Sequence, residues 1–154
     1  MALASVALAA PPDPRRFLRS DARDKVATVT LLAGYDSTNQ GYNFDGYARG
    51  ELMWTVPKGW TVRVTCTNRS GLRHSCAVVQ GPMANILAFP GAATPSPVVG
   101  LLQGRTATFS FRATRTGVFR FTSLVPGQES ARMYDVLKIT PGGRPSVVDL
   151  LASP

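Results

Sequence analysis

Apolar and polar residues alternate with a period of two along most of this chain. In "KVATVTLLAG", Ala27, Val29 and Leu31 take one side and Val26, Thr28 and Thr30 the other, as in a strand with one buried face. "ELMWTVPKGW" reads as a strand closed by the turn Pro57-Lys58-Gly59. In "WTVRVTCTNRSG", Trp60, Val62, Val64 and Cys66 oppose Arg63, Thr65 and Thr67. Asn68 to Gly71 is a turn signal, and "RHSCAVVQG" is the expected returning strand of a hairpin. "RTATFSFRATRTG" and "VFRFTSL" put Phe109, Phe111, Phe119 and Phe121 inward and Arg112 and Arg120 outward. Paired as a hairpin, they place Arg112, Arg115 and Arg120 on one outer face. "RMYDVLKIT" is the last strong strand. Between these runs lie a Gly- and Tyr-rich loop over 35–50, with a short strand expected at 42–44, and a proline-rich excursion over 81–104, with a helical turn expected near Met83 to Leu87.

Seven or eight short strands separated by turn signals predict an all-β Greek-key sandwich, because two inner faces then share one core. The 154 residues and 44% hydrophobic content suit one such domain. Residues 1–24 read as a signal remnant followed by a flexible arm, 25–141 as the domain and 142–154 as a tail with one more docked segment. "MALASVALAA", with Ala7-Leu8-Ala9 as an A-x-A cleavage pattern, resembles the end of a secretory signal and predicts export. No segment approaches transmembrane length. Cys66 and Cys76 fit a single disulfide of an exported protein, on neighbouring strands at core-facing parity; the alternative is two small buried apolar side chains. The formal net charge is +8, and arginine supplies 14 of the 17 basic residues. That balance favours a protein or an envelope polymer with an acidic surface as partner. Nucleic acid is disfavoured, since the arginines are scattered and neither a recognition helix nor zinc-finger spacing is present.

Over residues 26–140 the chain resembles sulfocyanin, a cupredoxin with a mononuclear copper site. The resemblance rests on "GYNFDGY", "VPKGWTVRVTCTN", a histidine opening the next strand and the terminal "VPG…M" loop. It implies a cupredoxin sandwich, exported or membrane-facing, that moves one electron. It also implies four copper ligands: a histidine on a middle strand, then Cys, His and Met at five-residue steps in the loop before the last strand. Carried over, the first histidine falls on His74 and the methionine on Met133. The Cys position falls on Ser123 and the second His position on Gln128. A blue site needs a thiolate with two imidazoles. A serine hydroxyl stays protonated near neutral pH, and glutamine is at best a weak axial ligand. His74 is the one histidine in the chain, so copper is expected to be weak or absent and the site vestigial. Cys76 does not replace the lost thiolate if Cys66 bridges it.

Three functions follow from these expectations. The first is an interaction or structural module of a cell-envelope or redox assembly, with Arg112, Arg115 and Arg120 as its contact face. The second is a copper-dependent redox protein with a non-blue site at His74, either a one-electron carrier or a copper-only superoxide dismutase-like enzyme. The third is a Cu(I) chaperone using Met133, Met53 and Met83. Nucleophile-elbow, Walker A and G-x-G-x-x-G motifs are absent, and no residue is assigned a catalytic role.

Overall fold

The computed structural model describes residues 11–152, so the signal-remnant reading of residues 1–10 lies outside the described residues. Nine strands form: Leu18–Asp21 (β1), Val26–Ala33 (β2), Leu52–Pro57 (β3), Thr61–Asn68 (β4), Ala77–Val79 (β5), Thr106–Arg112 (β6), Gly117–Thr122 (β7), Tyr134–Thr140 (β8) and Ser146–Asp149 (β9). They make two sheets, in the orders β1-β2-β4-β6 and β5-β7-β8-β3-β9. Burial follows the alternation read from the sequence. Ala27, Val29, Leu31, Val62, Val64 and Cys66 are fully buried from the first sheet, and Trp54, Phe119, Phe121 and Leu137 face them from the second. The aromatic centre is tightly packed, with Phe89 5.0 Å from both Phe111 and Phe119 and Trp54 6.1 Å from Phe121.

Both expected hairpins are corrected. β4 pairs with β2 and β6, whereas β5 pairs with β7 across the sandwich. Likewise β6 belongs to the first sheet and β7 to the second. A period of two reports which side of a strand is buried, not which sheet it joins. The sheets are also mixed, since β2 with β4 and β3 with β8 run parallel. Cys66 and Cys76 are bridged, with Cα atoms 6.1 Å apart. The bridge therefore staples the two sheets to each other and does not lie between adjacent strands.

Two further expectations change. Residues 14–21 are not a loose arm: a short 3-10 turn over Pro14–Phe17, capped by the Asp13 side chain, leads into β1, and Phe17 is buried. No helical turn forms at 83–87; Leu87 instead bridges to Val79, and Ala93 to Ala77. The C-terminal segment docks as β9 against β3, with Val147 opposite Trp54. Phe44 forms isolated bridges to Ala33 and Tyr47 in place of a short strand.

Candidate functional site

The candidate site lies where the β7–β8 loop meets the start of β5. Ser123 follows β7 directly, and Met133 directly precedes β8. Consecutive turns wind the intervening loop. The Gln128 amide donates to the Val125 carbonyl at 3.1 Å, and the Met133 amide donates to the Gln128 carbonyl at 3.1 Å. The Thr122 hydroxyl donates to the Met133 carbonyl at 2.9 Å and closes the loop at its base. His74 is fixed from the other side, because its carbonyl accepts the Leu101 amide at 2.7 Å. His74, Ser123, Met133 and Gln128 are all buried.

Hydrogen bonds tie three of these four side chains to the surrounding loops. The Gln128 Nε2 donates to the Arg73 carbonyl at 2.7 Å, which leaves its Oε1 facing His74 Nδ1 at 2.9 Å. A carboxamide oxygen only accepts, so Nδ1 carries the imidazole proton and Nε2 is the bare nitrogen. The Ser70 hydroxyl lies 2.9 Å from Nε2 and donates to it. Burial lowers the His74 pKa below its usual value, and the Gln128 contact opposes that only in part. The imidazole is therefore neutral at neutral pH, with both nitrogens engaged. Ser123 Oγ accepts the Ser75 amide at 3.1 Å and lies 3.3 Å from Ser75 Oγ, which accepts the Leu124 amide at 2.9 Å.

Two glycines make this closure possible. Gly34 has φ +66°, and a Cβ there would lie 2.5 Å from Ser70 Cβ and 3.1 Å from His74 Nε2. At Gly100 a Cβ would lie 3.1 Å from the His74 backbone and 2.8 Å from Val125. Tyr42 adds an edge-on ring 6.2 Å from the imidazole. Tyr42 lies in the "GYNFDGY" run, whereas Ser70, Ser75, Gly34 and Gly100 carry no motif that marks them in the sequence. The turn signal at Asn68 to Gly71 is the nearest hint, and there Asn68 Nδ2 bridges the Leu72 and Leu101 carbonyls, each at 2.7 Å.

These residues do not fit a thiolate copper centre. The position for sulfur holds a hydroxyl that binds a backbone amide, and the position for a second imidazole holds a carboxamide already paired with the first. Cys76 is consumed by its disulfide, and no free cysteine is present among the described residues. Those residues also contain no cluster of three or more His, Cys, Asp or Glu suited to a metal ion. The methionines do not converge: Met133 is buried, Met53 points to the outer side of β3, and Met83 is exposed in the excursion.

The expected arginine face is corrected as well. Arg112 is exposed on the first sheet, whereas Arg120 belongs to the second. Arg120 packs 3.7 Å over the Tyr134 ring and pairs with Glu129 at 3.4 Å. Arg115 lies over Phe89 and Phe119 and donates to the Ala88 carbonyl at 2.7 Å and to Gln80 at 2.6 Å. Arg115 and Arg120 thus hold the chain's own loops.

A family model described as the sulfocyanin (SoxE) domain matches residues 15–140. Among solved structures, dithionite-reduced auracyanin from Roseiflexus castenholzii is 21% identical with a TM-score of 0.56, covering 74% of this chain and 97% of its own. Auracyanin B is 20% identical at a TM-score of 0.53, covering 74% and 88%. Rusticyanin from Thiobacillus ferrooxidans is 16% identical at a TM-score of 0.52, covering 81% and 88%. At these identities the likeness establishes a shared cupredoxin fold. No curated protein sequence matches the chain.

Proposed function

The chain belongs to the sulfocyanin (SoxE) domain family, and from that premise we propose that it is an exported cupredoxin whose copper centre is degenerate, working as an interaction module of an envelope or redox assembly. The observation that carries this reading is the hydrogen-bonded set Ser70–His74–Gln128–Arg73, which uses both imidazole nitrogens. A metal at either nitrogen has to break one of these bonds and gains no thiolate in return. The inter-sheet disulfide supports an oxidising compartment, and among the described residues no helix is long and apolar enough to cross a membrane.

The same end of the sandwich presents Leu72, Val98, Val99 and Leu102 as exposed side chains. Arg69, Arg73 and Arg105 lie beside them in sequence, outside the ion pairs formed among the described residues. An apolar patch with a cationic rim suits a protein partner with an acidic rim.

Copper addition to the purified protein tests this reading. The expected result is no intense visible thiolate band, and a metal content that His74→Ala leaves unchanged. Stoichiometric copper lost in His74→Ala would establish the redox alternative. The double variant Ser123→Cys/Gln128→His is the counterpart: because the five-residue steps are intact, it is expected to gain both the band and the metal. Failure of a folded double variant to do so would show that the loop no longer holds ligand geometry.

A further inference from the structure

The outer face of the first sheet carries registered rows of hydroxyl side chains. Its outward positions on β2, β4 and β6 fall into registered rows: Thr28–Arg63–Ser110, Thr30–Thr65–Thr108 and Leu32–Thr67–Thr106. A fourth row joins Val26, Thr61 and Arg112, and β1 adds Arg19 beside Thr28. Hydroxyls therefore fill eight of these twelve positions on β2, β4 and β6, counted from the four rows of three. Val26 and Leu32 are the apolar exceptions, and both are half-buried. Arg19, Arg63 and Arg112 are exposed and take part in none of the three ion pairs among the described residues. Arg19, Thr28 and Arg63 line one side of a groove of about 290 Å³, which Asp21 and Asp24 close at the β1–β2 turn.

We propose that this face binds an acidic polysaccharide, with Arg63 and Arg112 as its anionic anchors and the threonine rows as its hydroxyl contacts. Strands about 4.8 Å apart set Arg19 about 10 Å from Arg63, and the diagonal from Arg63 to Arg112 is about 7–8 Å. Repeated carboxylates on a sugar chain match such intervals, and a planar guanidinium grips each one bidentately. Serine and threonine hydroxyls both donate and accept, as sugar hydroxyls require. The face has no aromatic side chain on which a nucleobase would stack. It also has no exposed apolar anchor of the kind that dominates protein–protein contacts. Asp21 and Asp24 repel a polyanion at the β1 end, so the chain lies across β4 and β6. The proposal goes beyond the interaction-module reading by adding a second surface with a polymer partner, and the copper experiment judges that reading separately.

The test is binding of polygalacturonate to the full chain in moderate salt, against double-stranded DNA and poly-L-glutamate of similar charge. Arg63→Glu/Arg112→Glu is expected to lose about tenfold or more in affinity, as charge-assisted contacts turn repulsive. Arg16→Glu/Arg144→Glu, at two exposed arginines outside these rows, makes the same change in net charge elsewhere and is expected to lose far less. Thr65→Val/Thr108→Val keeps the β-branched shape and the charge, and is expected to lose about two- to tenfold, the range of one or two hydrogen bonds. Equal losses in the two arginine pairs would reduce the effect to overall charge and overturn the proposal. So would absence of polygalacturonate binding, or DNA or polyglutamate binding as tightly with the same sensitivity to Arg63 and Arg112.

Discussion

The orientation of the Gln128 carboxamide is set by a main-chain oxygen, that of Arg73, and through Oε1 it sets the tautomer of His74. Replacing Gln128 with Glu keeps the shape but removes the donor to Arg73 and sets a charge against Nδ1–H. An adjacent carboxylate favours imidazolium, so the His74 pKa is expected to rise by about one to three pH units. Proton NMR checks this without assignment work, because His74 is the sole histidine. An unchanged titration would show that the Gln128–His74 contact does not persist in solution. The resemblance to sulfocyanin pointed to His74, Ser123, Gln128 and Met133, and the structure gathers all four around one loop. The closing partners were not legible there. A carbonyl such as that of Arg73 has no side-chain signature, and Ser70 and Gly34 meet only because two distant loops fold over the same imidazole.

At the level of strands, alternation gave the inward residues of β2, β4, β6 and β7 correctly, since the burial of one face is imprinted in residue type. It did not give the partner of β5 or β7, because local pattern carries no information on which sheet edge a strand completes. β1 and β9 were missed or left as tails for a related reason: "LRSD" and "SVVD" are short edge strands with little apolar content. The disulfide joins Cys66 on β4 of the first sheet to Cys76, which directly precedes β5 of the second. Its sequence separation of 10 residues closes a short loop in the unfolded chain. On the chain-entropy account the Cys66→Ala/Cys76→Ala variant is expected to lose about 3 kcal/mol, measured by denaturant unfolding. A loss well below 1 kcal/mol would mean that core packing alone holds the sheets in place.

Across the whole molecule, stability should depend on pH through two buried acids. Asp135 lies on β8, fully buried, with Oδ2 accepting the Trp54 indole N–H at 2.9 Å and Oδ1 without a partner. Burial raises its pKa to about 8, although the Trp54 bond pulls the other way and Glu51 adds to the rise. Asp45 is also buried, with Oδ1 accepting the Leu32 amide and Oδ2 without a partner; burial raises its pKa as well, opposed by the Leu32 bond and reinforced by Asp135. In the unfolded chain both ionise near the ordinary aspartate value. Between that value and pH 8 the native state therefore holds more protons than the unfolded one, and stability falls as pH rises through this window. Each tenfold difference in proton affinity is worth about 1.4 kcal/mol, so the decline should amount to a few kcal/mol. Buried His74 works in the opposite sense only in acid, where unfolding allows it to take up a proton. Melting temperatures from pH 5 to pH 9 test the argument. Asp135→Asn keeps an acceptor for Trp54 and cannot ionise, so its melting temperature should fall less over that range than that of the parent. Parallel curves for the two proteins would show that Asp135 is not the group whose ionisation the core resists.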